Sequence, residues 1–248
     1  MDRVDRLADL RDDVDRTAQQ FEAAASVPGP FVGTDSTGCV SVTADRAGLI
    51  DEVRVTADWR SHLGVDEFAA AVMSAYQAAG IARVETWGAA LAESADGPAP
   101  ALRPLPFSRD TISGQLEELV REDASEAETR DVMEAIAEFL REVKASIDDA
   151  THELARVQRT EVRGQSDGRH VEAVVTGTGD LKDLRYDETW LERAHPYNIG
   201  RETVQAQAAA LRAVGGRTAG SVMAGTRLGE LQALAEDPVA FARYLRMR

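Results

Sequence analysis

The 248-residue chain carries 43 Asp and Glu against 28 Lys and Arg, a formal charge of -15 that disfavours polyanionic partners unless cations cluster locally. No run approaches the roughly 18 apolar residues of a membrane span, and residues 1–14 lack the apolar stretch of a secretory signal. Its single Cys39 has no internal disulfide partner, which suits a reducing cytoplasm.

In chain order, residues 2–25 read as a helix, with Leu7, Leu10, Val14, Thr17, Phe21 and Ala24 at alternating three and four spacing. Pro28, Gly29 and Pro30 end it. Short strands are expected at 31–34, 38–44 and 49–56, then a helix from about 67 to Leu91. Residues 94–111, which hold four of the eight prolines, read as a linker. A short helix is expected at 112–122. Ser125 and Glu128 fit a capping box that opens a long helix to about residue 158. Its apolar seam is Met133, Ile136, Leu140, Val143, Ile147, Ala150, Leu154 and Val157. At about 1.5 Å per residue such a helix spans on the order of 45 Å, so its stripe needs more cover than one small sheet. Strands follow near 160–165, 169–176 and 180–187, a helix at Arg201–Val214, and a last helix at about 227–246.

The chain says something similar twice. Ser36-Thr37-Gly38 and Ser166-Asp167-Gly168 each open a strand pair, and Trp59 and Trp190 each stand four residues beyond the second strand. An Ala-rich helix closes both copies. Aligning Glu67, Ala71, Ala75 and Ala78 with Glu202, Ala206, Ala210 and Ala213 implies about four extra residues in the second copy, around Ala194 to Tyr197. The pattern therefore reads as tandem copies of one small domain. Charge divides unevenly between them: residues 1–100 hold 8 Arg and Lys against 17 Asp and Glu, and residues 156–248 hold 14 against 12.

Gly38-Cys39-Val40-Ser41-Val42-Thr43, Gly48-Leu49-Ile50-Asp51-Glu52-Val53-Arg54-Val55 and the helix around Ala69 to Ala79 resemble the YbaB/EbfC family of small nucleoid-associated proteins. Gly168, Val171, Gly179, Leu181 and Leu184-Arg185-Tyr186 match it less well. The family forms homodimers and is associated with DNA binding. The resemblance implies an α+β protein of two helix–antiparallel three-strand sheet–helix units packed as an intramolecular pseudo-dimer, with the long-helix seams covering each other. The expected layout is 1–93 as unit one, 94–111 as linker, 112–217 as unit two and 218–248 as a C-terminal helical extension.

Catalytic signatures are missing. Gly177-Thr178-Gly179-Asp180 lacks the third glycine of a dinucleotide turn and the Lys-Ser/Thr of a P-loop, and reads as a β-turn. Cys39 beside Val40 and Val42 reads as core or edge packing. His62, His152, His170 and His195 have no metal-ligand spacing, so neither metal nor cofactor is expected. The mixed Asp and Arg residues of the first helix read as a solvated face, and Trp59 and Trp190 as plugs of their sheets. The expectation is a non-enzymatic cytoplasmic binding protein. Its candidate phosphate contacts are Arg212, Arg217, Arg227, Arg243, Arg246 and Arg248 in the less acidic half. The bland reading of the terminal arginines is cations against a helix dipole. Two partners compete: DNA, bound without base readout, and another protein that the acidic copy and the helical seams engage, as in an adaptor. Further self-association stays open.

Overall fold

A computed structural model describes residues 3–97, 100, 101, 126–237, 240, 241 and 244. The short helix expected at 112–122, the Ser125 cap and Arg243, Arg246 and Arg248 lie outside these residues. The described elements fall into two compact units, one within Met1–Arg103 and Glu161–Gly216, the other within Pro104–Thr160 and Arg217–Arg248.

The first unit opens with helix α1 (Arg3–Ala25), strands β1 (Phe31–Thr34), β2 (Val40–Ala44) and β3 (Ile50–Val55), and helix α2 (Phe68–Asp96). The strands form an antiparallel meander in the order β1-β2-β3. Strict alternation in β2, with Val40, Val42 and Ala44 buried, turns one face to the core. Helix α2 lies on β1 and β2, and α1 packs along α2. The close approach rests on Gly33: a Cβ there would stand 2.1 Å from the Ala79 nitrogen and 2.2 Å from the Ala75 carbonyl oxygen. Helix α2 runs five residues past the expected Leu91, because no breaker arrives before Gly97-Pro98.

Strands β4 (Glu161–Gln165), β5 (Val171–Thr176) and β6 (Leu181–Tyr186), the short helix α4 (Glu188–Leu191) and helix α5 (Pro196–Val214) build a second half of the same plan. Helix α3 (Glu126–Arg159) precedes them and belongs to the second compact unit. The two halves correspond at one constant offset of 131 positions, as in Gly33 and Gly164, Gly48 and Gly179, Trp59 and Trp190. Each sheet breaks register at the matching place, Thr43/Ala44 and Val174/Val175. A Cβ on Gly164 would stand 2.0 Å from the Ala210 nitrogen, as one on Gly33 would from Ala79.

This correspondence corrects two expectations. The second half has no insertion: Ala194 to Tyr197 are the core contact and first turn of α5. His195 caps that turn by accepting from the Tyr197 N–H, and Pro196 sits at the start, where no donor is needed. Ala75 and Ala79 thus correspond to Ala206 and Ala210, and alanines at three and four spacing allow a false frame four residues away. The glycines that open the two strand pairs, Gly38 and Gly168, are also not equivalent. The left-handed position held by Gly38 (φ 76°) is held by Arg169 (φ 60°). Gly168 is required for another reason, since a Cβ would lie 2.6 Å from Glu202 Oε1.

The same turn takes its buried carboxylate from different places in the two halves. Asp35 accepts from the Val40 N–H (2.7 Å), the Thr37 N–H (2.9 Å) and the Thr37 hydroxyl. At the matching place Ser166 accepts from the Val171 N–H (3.1 Å) and donates to buried Glu202 on α5 (2.9 Å). Burial pushes the Asp35 carboxyl up, but its hydrogen bonds outweigh that and hold it below the ordinary 3.8.

Each closing helix reaches the other sheet. Helix α2 also contacts β6, and α5 also contacts β3. Gln207 on α5 accepts from the Ile50 N–H (2.9 Å). Tyr76 on α2 occupies the corresponding place, beside the Leu181 backbone and donating to the Gly48 carbonyl (3.0 Å). One apolar core runs through both halves. Trp59 is fully buried against Phe68, 4.6 Å between rings, and Phe68 meets Tyr186 edge-on.

In the second unit α3 packs with α6 (Ala219–Ala224) and α7 (Arg227–Glu236). The buried side of α3 is Ala135, Phe139, Ser146, Ala150 and Val157, whereas Leu140 (60 % exposed) and Ile147 (48 %) face outward. The expected seam thus holds at Val143, Ala150 and Val157 but not at Leu140 and Ile147, because Phe139 takes the inner place, packing with Leu231 and, 4.9 Å between rings, with Phe241. The helix expected over 227–246 is interrupted: α7 ends at Glu236, Asp237 precedes a proline and caps a new turn through Ala240 N–H, and residues 240, 241 and 244 are again helical.

Replacing Gly33 or Gly164 by Val drives a side chain into helix backbone, which cannot yield as a flexible side chain would. Each variant is expected to lose about 3 kcal/mol or more, read by urea unfolding. Asp35→Ala leaves buried N–H groups unpaired and is expected to cost about 1–3 kcal/mol at pH 7. The Asp35 contribution is complete above its unfolded pKa and is lost as pH falls through its lower folded value. The gap between wild type and variant should therefore narrow below about pH 4, and a gap unchanged at pH 3 would contradict the assignment.

Candidate nucleic-acid interface

The cations proposed from sequence do not share one environment. Arg212 is exposed in the last turn of α5, where Gly215 in the left-handed conformation closes the helix on the Arg212 carbonyl. Arg217 is exposed just before α6. Neither makes an ion pair among the described residues. Arg227 is already engaged: its guanidinium binds Glu142 (2.7 and 2.9 Å) and Glu230 (2.7 Å), which raises its pKa. Tyr244 donates to the same Glu142 (2.7 Å), so Arg227 ties α3 to α7.

The strand cations of the second sheet are also occupied. Lys182 pairs with Glu161, Arg185 with Glu172 and Asp183, and Arg163 reaches Glu172 at 3.9 Å. Such exposed pairs contribute roughly 0–1 kcal/mol each, but they leave the sheet surface electrically balanced.

Free cations gather instead at one end of this half. Arg169 lies in the β4–β5 turn, Arg193 follows α4 and Arg201 lies on α5; all three are exposed and make no ion pair among the described residues. Local packing brings them together. His170 stacks on half-buried Trp190, 4.8 Å between rings at 5°. Arg193 donates its backbone N–H to the Trp190 carbonyl. Glu202, next to Arg201, meets the turn through Ser166. Asp187 is partly used, accepting from the Trp190 N–H (3.0 Å) and standing 4.0 Å from His170. Asp167, Glu188 and Glu192 are exposed at the same end.

Sequence reading missed this group because its members are scattered singly between residues 169 and 201. The one available signal was Arg169 itself, once the offset between halves placed it opposite Gly38. A non-glycine residue in the left-handed region costs on the order of 1–2 kcal/mol, so Arg169 holds its place against a backbone preference.

The matching place in the first half has no such platform. Trp59 is buried there, and Arg60 stacks over its ring at 4.7 Å while donating to the carbonyls of Leu191 and Ala194 (2.7 Å each). Cys39 is buried in the core. The other histidines are dispersed: His62 stands 3.9 Å from Asp58, His195 caps α5 and His152 is exposed on α3. Among the described residues no three His, Cys, Asp or Glu side chains converge as metal ligands, and no helix is long and apolar enough to cross a membrane.

No curated protein matches the chain. The family model of the YbaB/EbfC DNA-binding family matches residues 128–226, which span most of α3, the second sheet, α5 and α6. The matched segment holds Arg169, Arg193, Arg201, Arg212 and Arg217, whereas the glycine-started strands of the first half fall outside it. Over residues 128–226 the chain is thus similar to the YbaB/EbfC DNA-binding family.

Proposed function

We propose that the protein binds double-stranded DNA without reading sequence, through phosphate contacts from the second half, and that it acts in the cytoplasm on the nucleoid without catalysis. The observation that carries this is the family match at 128–226. Arg169, Arg193 and Arg201 around the His170–Trp190 stack, with Arg212 and Arg217, supply the uncommitted guanidinium groups, whose planar forks suit phosphate. Arg243, Arg246 and Arg248, outside the described residues, are candidate contacts by sequence alone. The first half arose as a second copy of the same domain and contributes shape rather than charge. A surface that mixes these cations with Asp167, Glu188 and Glu192 gives weak, salt-sensitive binding.

A second reading, an adaptor for another protein, draws on exposed Leu140 and Ile147 about two turns apart on α3 and on the formal charge of -15. The two readings part in a mobility-shift titration on duplex DNA. Three or four phosphate contacts predict a slope of log K on log salt near -3, or roughly a hundredfold loss between 50 and 200 mM salt. Absence of any shift at low salt overturns the DNA reading and leaves the adaptor.

Arg169→Gly separates function from stability. It relieves a left-handed side chain and removes one cation. The expected outcome is unchanged or higher thermal stability with DNA binding weakened several-fold at 50 mM salt. Unchanged DNA affinity would remove Arg169 from the interface.

A further inference from the structure

The acid-rich first half holds two arginines that its carboxylates do not take up. Among the described side chains there, Arg16 pairs with Asp13, Arg54 with Glu52, and Arg60 is spent on two carbonyl oxygens. Arg46 and Arg83 make no ion pair. Arg83 reaches from α2 across the β2–β3 turn, donates to the Arg46 carbonyl (3.3 Å) and lies against Gly48. Both guanidinium groups thereby border one cleft of about 200 Å³, whose remaining wall is apolar: Val27, Phe31, Val84 and Trp87. A second, smaller cleft of about 150 Å³ shares Phe31 and Arg83 and includes Asp45. The Asp45 carboxylate is turned into its own loop, accepting from the Leu49 N–H at 2.8 Å.

Apolar walls beside guanidinium groups that no carboxylate neutralises define a ligand with an apolar body and an anionic head. Size narrows it further. A dry cavity of about 150 Å³ holds a benzene molecule, so this cleft takes one aromatic ring with a short side chain. Trp87 is half-buried and tilted against Phe21, leaving a ring available to pack on the guest. A carboxylate reaching Arg46 and Arg83 gains charge-assisted hydrogen bonds, at a place where the surrounding acidic surface rejects anions not met by those two groups. We propose that this cleft between α1, the start of β1, the β2–β3 turn and α2 is a binding site for a small aryl carboxylate, separate from the DNA surface of the second half.

The test uses the full chain with 3-phenylpropionate and its neutral amide, titrated by calorimetry and by saturation-transfer NMR. The acid is expected to bind at least tenfold more tightly than the amide. Arg46→Ala with Arg83→Gln should weaken the acid at least tenfold and leave the amide unchanged; Trp87→Ala should weaken both. Equal affinity for acid and amide, an acid affinity unmoved in the double variant, or no acid binding at millimolar concentration overturns the proposal. If the double variant does not fold, the acid–amide comparison on the native protein still decides. The folded double variant should shift DNA as the native protein does, so failure here and failure of the DNA reading are told apart.

Discussion

The first unit depends on a reciprocal exchange between two helices and two sheets. Gln207 of α5 takes the Ile50 N–H of β3, and Tyr76 of α2 lies beside the Leu181 backbone of β6. Residue 76 corresponds to 207 and residue 50 to 181, so each half gives the other the contact that it receives. That is the rule of a two-fold interface, in which residue i meets j and j meets i, realised here within one chain. Neither three-stranded sheet has a large core alone, and small sheets need a packed face to be stable. The exchange makes one core from two marginal ones, with Trp59, Phe68 and Tyr186 at the place where they join.

Two glycines make the exchange geometrically feasible. With no side chain at Gly33 or Gly164, the backbones of α2 and α5 settle directly on the first strand of their sheets. Gly200 repeats the device across halves, since a Cβ there would lie 2.1 Å from the Val53 carbonyl oxygen. Alanine at 75, 79, 206 and 210 keeps the other side of each contact thin; all four are fully buried. The Ala-rich character of the closing helices is thus a packing requirement, and helix propensity follows as a secondary gain. The fit is imperfect in one respect: Trp59 Nε1 and Gln207 Nε2 are buried with no hydrogen-bond partner among the described residues, each a cost of roughly 1–3 kcal/mol.

Strand positions were legible because burial is written locally: Val40, Val42 and Ala44 alternate with polar residues, and the Val-rich run Val171–Thr176 reads as a strand buried on both faces at Val174. Frames between halves were less legible. An alanine stripe looks alike when slid by one helical turn, and only the glycine under each helix fixes the slide. The inner place of Phe139 on α3 was illegible for a related reason. Leu140 and Phe139 are equally apolar in sequence, and the choice between them is made by the ring of Phe241, a hundred residues away. Ion pairing was hidden in the same manner. Nothing around Arg227 announces that Glu142 will claim it, and nothing around Arg83 announces that no carboxylate will.

Correspondence between halves also shows where each departs from the other. Around the first strand turn both halves bury a carboxylate, yet one takes it from Asp35 in the turn and the other from Glu202 in the helix. Moving the carboxylate to the helix leaves the second turn to Ser166 and frees its tip, where Arg169 stands in place of Gly38. In the first half the equivalent surface is closed by buried Trp59 with Arg60 laid over it; in the second, Trp190 stays half-exposed under His170. The interlocked core is thus kept in both halves, while the surface beside the tryptophan is sealed in one and open in the other. A homodimer has to present both surfaces alike. Two halves in one chain are released from that constraint, and the acidic charge of residues 1–100 against the near-neutral 156–248 falls along the same divide.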